Sequence, residues 1–486
     1  MAKYRCPMCG WIYDEDVESD PFSSLDACLL CGTPASEFFL MEPDEDEAAL
    51  REVDEVAARK AAAQSTEAAN PAAASVNPLA IPDALRRNDP SIRHMATIHA
   101  LAEHGSIPDG AMATELPLPK WEDILVLGAQ LDPIPLQEGA DVDLTTVIGP
   151  RAARPLVLDG PAFVSHMSFG ALSAEAKIAL ARGASAVGTA MCSGEGGILP
   201  AEMEASSRYI FEYAPNAYSV TDENLRASGA VEIKIGQGTK PGMGGHLPGA
   251  KVTEEIARIR GREPGEDIIS PSTIPGIETV DDLRALVDDL RTRSEGAPIG
   301  IKLAAGHIER DIKAAVEAEA DFITIDGRGG ATGASPVMLR DASSVPTIFA
   351  LARSRRALDE LDPERNISLV ITGGLRVAAD IVKALAMGAD AVALASASLM
   401  ALGCQQYRIC GSGRCPMGIA TQDPELRAHL NMDAGAKRVE NFYRATFDDL
   451  RMFCRVMGLD SARKLSPSDL VTTNRDIAEW CGIAHA

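Results

Sequence analysis

The sequence lacks the marks of membrane, secreted and nucleic-acid-binding proteins. It contains no run of about 18 apolar residues, so no membrane span is expected. The first ten residues, MAKYRCPMCG, hold no apolar leader, which predicts a cytoplasmic protein. Acidic residues number 70 against 46 basic ones, giving a net charge of −24. Nucleic acid is therefore not expected as a partner, because phosphate binding needs a basic surface.

The chain is long enough for one large hydrophobic core with a small domain appended. It has 486 residues, of which 46% are hydrophobic and 24% charged, as in globular proteins. Changes in composition predict five segments. These are a metal-binding domain at 1–42, an acidic and Ala-rich linker at 43–80, an N-terminal extension at 81–150, a main domain at 151–422 and a C-terminal helical segment at 423–486.

Four cysteines near the N-terminus form two CxxCG motifs: Cys6, Cys9, Cys28 and Cys31. In a chain without a secretory signal, such pairs favour metal binding over disulfides. Four thiolates in this pattern bind one tetrahedral Fe or Zn ion, and a domain so short needs the metal for its stability. With the aromatic residues around them, residues 1–42 resemble rubredoxin, which implies a one-electron iron centre. A zinc ribbon is the alternative.

Three further cysteines, Cys404, Cys410 and Cys415, lie close together and are followed at once by Pro416. A tetrahedral zinc site would need a fourth ligand, and none stands within segment 399–422. Iron–sulfur clusters can be held by cysteines in a compact loop that ends in proline. The spacing therefore favours a cluster with three irons, or with four irons and one unusual ligand. A zinc loop is the alternative.

Between residues 154 and 396, short β-branched runs alternate with segments of helical composition. Eight runs are predicted as strands: Pro155–Val164, Ala186–Met191, Val231–Ile235, Asp267–Ser270, Ile299–Leu303, Phe322–Ile325, Ile367–Thr372 and Ala389–Ala395. Eight strands over about 240 residues predict a (β/α)8 TIM barrel of the α/β class. A doubly wound sheet is the alternative, but it would favour a GxGxxG turn after the first strand, and none is present.

The residues that directly follow the strands of a TIM barrel face its active site. Glycines are frequent at these positions and suggest backbone N–H groups that line a phosphate or a flat ring. Lys302 lies within an apolar strand, where it would need a negative partner such as an anionic flavin. Lys240 and Arg260 are candidates for holding substrate carboxylates.

Several motifs together resemble the flavin-binding central domain of glutamate synthase, in order, from about residue 80 to the C-terminus. The resemblance is to the short, archaeal-type subunits in particular. The motifs are Met167-Ser168-Phe169-Gly170, Gly194-Glu195-Gly196-Gly197, KIGQGTKPGMGGHLPGAKV at 234–252, ISP at 269–271, GGATGASP at 329–336 and CQQYRICGSGRCPMGIATQ at 404–422.

This resemblance implies an FMN-binding barrel with a [3Fe-4S] cluster on Cys404, Cys410 and Cys415. It implies that 2-iminoglutarate, formed from 2-oxoglutarate and ammonia, is reduced to L-glutamate by hydride from FMN. It also implies catalytic roles for Lys302 and Glu195, and substrate binding by Lys240 and Arg260. The cofactor-binding residues implied are Met167, Ser168, Gln237, Lys302, Gly330, Gly373, Gly374 and Ser396. The N-terminal metal centre could be the entry port for electrons.

The departures from the family concern nitrogen supply and the substrate side. Residues 1–80 hold no amidotransferase domain, so ammonia is expected to be free or to come from a partner amidotransferase, and electrons from a donor subunit. Ile274-Pro275-Gly276 replaces a His-His-Asp of bacterial members, and His246 stands where they often have glutamine. Two alternatives therefore stay open: an N-methylglutamate synthase-type subunit that uses methylamine, or an electron-transfer flavin subunit without its own turnover.

Overall fold

The computed structural model divides the chain into two compact units, Met1–Gly105 and Ser106–Ala486. It describes residues 3–5, 12–14, 22–25, 34–40, 79–87, 89, 91–92, 94–106 and 110–486. The predicted metal ligands Cys6, Cys9, Cys28 and Cys31 lie outside the described residues, as does nearly all of the predicted linker. The rubredoxin-like site and the five predicted segment boundaries therefore stay predictions.

In the first unit, three short strands form an antiparallel sheet. The strands are β1 (Lys3–Arg5), β2 (Ile12–Asp14) and β3 (Phe39–Leu40), and β1 is the central one. The rings of Tyr4 and Phe22 stack with their centroids 3.8 Å apart. Helix α1 (Met95–His104) ends at Gly105 in the left-handed conformation. An ion pair of 2.7 Å joins Glu103 on this helix to Arg86.

The second unit is built on a closed barrel of eight parallel strands, which confirms the predicted TIM barrel. The strands, in order around the barrel, are β7 (Ala162–Val164), β8 (Met191–Cys192), β9 (Tyr209–Tyr213), β10 (Ala230–Lys234), β13 (Ile299–Ala304), β14 (Phe322–Asp326), β15 (Ser368–Thr372) and β16 (Ala391–Leu394). Helices lie between most of them, as right-handed βαβ connections require.

Three of the predicted strands were assigned wrongly, in whole or in part. Segment 186–191 is a turn and irregular backbone up to residue 190, since β8 begins only at Met191. Segment 267–270 is outside the barrel, since β12 (Ile268–Ile269) pairs with β11 (His246–Leu247) in a two-stranded sheet. The third barrel strand is instead β9, which was not among the predicted strands. Segment 155–164 also divides, because β6 (Leu156–Leu158) pairs with β5 (Thr146–Ile148) outside the barrel.

A further sheet of the second unit joins its two ends. It consists of β4 (Ile124–Val126), β17 (Leu470–Thr472) and β18 (Ala484–His485), with β17 in the centre. Strand β17 runs antiparallel to β4 and parallel to β18. The C-terminal segment is therefore fixed by backbone hydrogen bonds to the segment that precedes the barrel.

The helices of the second unit surround the barrel. They are α2 (Ala174–Ser185), α3 (Pro200–Glu204), α4 (Asp222–Ala227), α5 (Glu254–Arg260), α6 (Val280–Arg293), α7 (Ile308–Glu317), α8 (Val337–Ala342), α9 (Thr347–Leu361), α10 (Ala378–Ala386), α11 (Ser396–Leu402), α12 (Pro424–Arg427), α13 (Met432–Val456) and α14 (Arg475–Cys481). In the part of the chain that the structure describes, none of the helices has the length and apolarity needed to cross a bilayer.

The long helix α13 packs against α2 and α11 on the outside of the barrel. Its Tyr443 is fully buried, and the hydroxyl shares a hydrogen bond of 2.8 Å with Ser398 Oγ on α11. At the start of α2, Ser173 Oγ accepts from the Ala176 amide as an N-cap and donates to the Gly418 carbonyl. These contacts fix the segment that carries the three clustered cysteines.

Lys177 on α2 is a fully buried lysine that ties together the first two strand-end loops. Its Nζ donates to the carbonyls of Met167 and Ser193, and forms a 3.0 Å ion pair with Glu202. Burial raises the pKa of Glu202 to about 7 from an ordinary 4.5, and the contacts with Lys177 oppose this only in part. The folded protein therefore binds a proton at Glu202 more tightly than the unfolded chain does.

We expect this carboxyl to make stability depend on pH in a defined window. Because folding raises the pKa of Glu202, the protonated carboxyl favours the folded state. This stabilisation is complete below about pH 4.5 and is lost as the pH rises to about 7. Relative to a Glu202→Gln variant, the wild type should lose on the order of 3 kcal/mol over this range. Denaturant unfolding of both proteins between pH 4.5 and 8 measures the two free energies of unfolding. A difference between them that does not change with pH would contradict this prediction.

Candidate active site

A deep pocket opens at the C-terminal end of the barrel and is lined by loops that follow its strands. Its volume is about 1640 Å³, counting the space that is continuous with solvent. The pocket brings together every described residue that the sequence singled out as a candidate site residue. These are Met167, Ser168, Glu195, Gln237, Lys240, Arg260, Lys302, Gly330, Gly373, Gly374, Ser396, Cys404, Cys410 and Cys415.

One wall of the pocket is formed by two loops whose backbones touch. Gly373, after β15, has a φ of +115°, and a Cβ there would lie 2.6 Å from the Gly327 carbonyl. The Thr347 hydroxyl donates to the carbonyl of Gly373 at 2.6 Å and holds this arrangement. No side chain larger than hydrogen fits at this position, so the wall presents bare backbone to the pocket. Such a wall suits a flat or phosphorylated ligand.

A second close approach joins the loops after β7 and β8. Gly194 has a φ of +69°, and a Cβ there would lie 2.5 Å from the Ser168 amide nitrogen. Glycine at this position allows Glu195 to reach the pocket beside Met167 and Ser168. The Glu195 carboxylate forms a buried ion pair with Lys234 on β10.

The floor of the pocket carries Lys302 on β13, whose side chain is 3% exposed. Its ammonium lies 3.6 Å from Oε2 of Glu212 on β9. Burial by itself lowers the pKa of Lys302, but Glu212, Asp326 and Glu232 outweigh burial and raise the pKa above its ordinary value. Lys302 is therefore held as a cation beneath the ligand space.

Two further buried cations, Lys240 and Arg260, line one side of the pocket. Nη2 of Arg260 donates to the Phe169 carbonyl at 2.7 Å, and its guanidinium lies over the Tyr218 ring. Burial lowers the pKa of Arg260 to about 10, so it stays charged at neutral pH. Nε of Arg260 is buried and makes no hydrogen bond within the described residues. A buried donor of this kind is expected to bind an anionic group.

The clustered cysteines lie in one loop at the edge of the same pocket. Cys415 is buried, and Cys404 and Cys410 are half-buried. Among the described residues, the group of side chains close enough together to hold one metal ion does not include these three thiols. The loop is therefore not favoured as a site for a single zinc ion. Lys251 donates to the Cys410 carbonyl at 3.2 Å and places a cation beside the loop.

The two departures from the family pattern fall in different places. His246 lines the pocket, and its Nε2 lies 3.0 Å from an oxygen of Asp267. Ile274 is instead buried in the main hydrophobic core, and neither it nor Pro275 or Gly276 lines the pocket. Ile274 therefore serves packing and Pro275 and Gly276 are exposed, whereas His246 lines the ligand space.

Sequence reasoning assigned no role to three polar side chains of the site: His166, Glu212 and Lys234. His166 and Glu212 line the pocket, and Lys234 pairs with Glu195. Each lies in or directly after an apolar strand, which is the signal that did single out Lys302. Glu212 could not be found in this way, because strand β9 itself was not predicted.

Comparison with known proteins identifies the family. The family model described as "Conserved region in glutamate synthase" matches residues 94–460. A protein of Thermotoga sp. (strain RQ2) named archaeal-type glutamate synthase [NADPH] is 38% identical over 82% of this chain and 84% of its own length. An archaeal glutamate synthase [NADPH] of Methanocaldococcus jannaschii is 40% identical over 66% of this chain and 63% of its own length. A glutamate synthase large subunit-like protein of Rhizobium meliloti is 34% identical over 81% of this chain and 93% of its own length.

Among solved structures, a flavocytochrome b2 mutant with benzoylformate matches at 18% identity and a TM-score of 0.47, covering 72% of this chain and 76% of that chain. That likeness is too distant to carry an argument. The family match spans most of the chain and agrees with the resemblance seen in its motifs. The chain therefore belongs to the glutamate synthase family of oxidoreductases.

Proposed function

We propose that this chain reduces 2-iminoglutarate, formed from 2-oxoglutarate and ammonia, to L-glutamate in the pocket of its barrel. The observation that carries the proposal is the pair of buried cations, Lys240 and Arg260, beside the glycine-lined wall. A dicarboxylate needs fixed cationic donors to replace its hydration, and these two are held by burial in one pocket. The names of its relatives support the same reaction.

FMN fits the remaining features of the pocket and, when bound, would supply the substrate with a hydride. The bare backbone at Gly373 and Gly374 would accommodate its phosphate or ring, with Met167, Ser168, Gln237, Gly330 and Ser396 around it. Lys302 would place its positive charge where negative charge develops on a reduced flavin. Glu195, paired with Lys234, would hold or move a proton at the substrate nitrogen.

The three clustered cysteines would hold a [3Fe-4S] cluster that passes single electrons to the pocket. Their close spacing in the sequence and the absence of a fourth cysteine in the loop support three ligands on separate irons. Electrons would come from a donor partner, and ammonia from solution or an amidotransferase partner. The N-terminal four-cysteine site would hold Fe or Zn. With iron bound, it would be the port at which electrons enter the chain.

Reoxidation of the flavin distinguishes this proposal from its alternatives. The protein is reduced anaerobically and mixed with 2-oxoglutarate together with ammonium, methylamine or no amine. We expect rapid reoxidation with ammonium. Reoxidation with methylamine alone would instead assign the N-methylglutamate reaction, and no reoxidation with either amine would leave an electron-transfer role.

We expect the replacement Lys240→Met to weaken 2-oxoglutarate binding. Loss of one charge-assisted contact costs about 1.5–3 kcal/mol, so KM should rise by about 10- to 100-fold with a smaller change in kcat. The exposed Lys313, on the outer helix α7, gives the matched control Lys313→Met. Unchanged KM in Lys240→Met, with the flavin still bound, would remove Lys240 from the substrate site.

A further inference from the structure

A cluster of four side chains with metal-binding atoms lies inside the barrel, against the floor of the pocket. The residues come from four successive strands: His166 just after β7, Cys192 on β8, Glu212 on β9 and Glu232 on β10. Their ligand atoms all lie within 4.8 Å of one another. His166 and Glu212 also face the pocket, whereas Cys192 and Glu232 do not.

The cluster is closed to solvent. The side chains of His166, Glu212 and Glu232 are 2%, 1% and 1% exposed, and Cys192 is fully buried. Water therefore does not solvate the two carboxylates, and burying them without compensation is costly. Glu212 and Glu232 are also register partners on adjacent parallel strands, so the two negative charges are neighbours.

Two carboxylate oxygens of the cluster converge on one ring nitrogen of His166. Nε2 of His166 is in ionic contact with Oε2 of Glu232 and lies 3.8 Å from Oε2 of Glu212. The other polar atoms of His166 and Glu232 contact residues outside the cluster. Ser165 Oγ lies 3.2 Å from His166 Nδ1, and the Thr324 hydroxyl donates to Glu232 Oε1. Such outer contacts orient metal ligands toward a common centre.

The charges of the four ligands and Lys302 are compatible with a divalent cation. Two carboxylates and a metal-bound thiolate would bring three negative charges, and a neutral imidazole adds none. Lys302, 3.6 Å from Glu212, supplies one positive charge. A divalent ion supplies the other two and makes the buried cluster neutral, as a dry interior requires.

We propose that His166, Cys192, Glu212 and Glu232 bind one zinc ion in the interior of the barrel. Imidazole, thiolate and carboxylate are the ligand types of zinc, with bond lengths of about 2.0–2.3 Å that a small contraction of this cluster would satisfy. All four positions of a tetrahedral ion are filled by protein, so the site is structural and closed. The ion fixes Glu212 and His166 as a rigid floor and holds Lys302 in place above it.

Zinc content and zinc X-ray absorption test the proposal on the full-length protein. We expect the wild type to hold one equivalent of zinc, besides any at the N-terminal cysteines, and the zinc absorption fine structure to contain nitrogen or oxygen ligands as well as sulfur. A Cys192→Ala variant should lose that one equivalent, while Cys454→Ala, which removes another buried thiol, should keep it. Zinc bound at the N-terminal four-cysteine site is present in all of these proteins, so it does not affect the difference in zinc content between them.

Equal zinc contents in the wild type and Cys192→Ala would overturn the proposal, as would a zinc signal made of sulfur alone. In that case the cluster is a hydrogen-bonded ion network neutralised by protons on His166 and Cys192. If Cys192→Ala does not fold, the absorption spectrum of the wild type decides by itself. The result is independent of the proposed function, because metal content is read without turnover.

Discussion

Replacement of Lys302 by methionine is expected to abolish turnover and, as a separate effect, to destabilise the barrel. A fixed charge aimed at a developing negative charge contributes about 10²- to 10³-fold to kcat. The same change leaves Glu212 buried without its cation at 3.6 Å, which costs about 3–5 kcal/mol of folding free energy. Steady-state kinetics and denaturant unfolding measure the two effects.

The variant Lys302→Arg separates these effects, because it keeps the positive charge but moves it. Much of the lost stability should return, whereas kcat should stay low, since a guanidinium cannot occupy the position of the ammonium. Lys313→Met, at an exposed site, controls for the loss of a lysine as such. A Lys302→Met protein that binds flavin and keeps more than about a tenth of wild-type kcat would exclude the role assigned to this residue.

Replacement of Cys410 by serine should remove about three irons per chain and end turnover with a protein electron donor. Thiolate is the ligand that holds such a cluster, and a serine hydroxyl in the same loop does not replace it at neutral pH. The flavin of the variant should still be reduced by dithionite, which needs no internal electron path. Iron analysis and electron paramagnetic resonance measure the loss.

Cys481→Ser is the matched control for that variant, because Cys481 is also partly buried but lies on α14, outside the pocket lining. It should keep its iron and its turnover. If Cys410→Ser keeps all of its iron, the loop does not hold the cluster. If it loses iron but keeps donor-driven turnover, the cluster is not on the electron path.

The sequence predicts the barrel well because seven of its eight strands are apolar or β-branched runs between helices. It fails at β9, which was not predicted although β10, also with a central glutamate, was. It also fails at segment 267–270, whose apolar pair Ile268–Ile269 pairs with β11 outside the barrel. Short apolar pairs satisfy either arrangement, and only the closing of the barrel decides between them. Because β9 was not predicted, Glu212 at the floor of the pocket was not predicted as a site residue either.

The candidate site was predictable where it depends on position after a strand or on cysteine spacing. Lys302 and the loop of Cys404 follow from such local patterns. The pairing of Glu195 with Lys234, and the meeting of His166 with Glu232, join residues far apart in sequence. No local pattern encodes these contacts, since they arise from the register of strands around the closed barrel.

The product of a single turnover shows whether this chain forms L-glutamate from 2-oxoglutarate and ammonium. The protein is reduced anaerobically, freed of reductant and mixed with 2-oxoglutarate and ¹⁵N-ammonium, and glutamate is then quantified by mass spectrometry against bound flavin. We expect ¹⁵N-labelled L-glutamate in an amount close to that of the flavin that is reoxidised. Reoxidation of the flavin without labelled glutamate would contradict it.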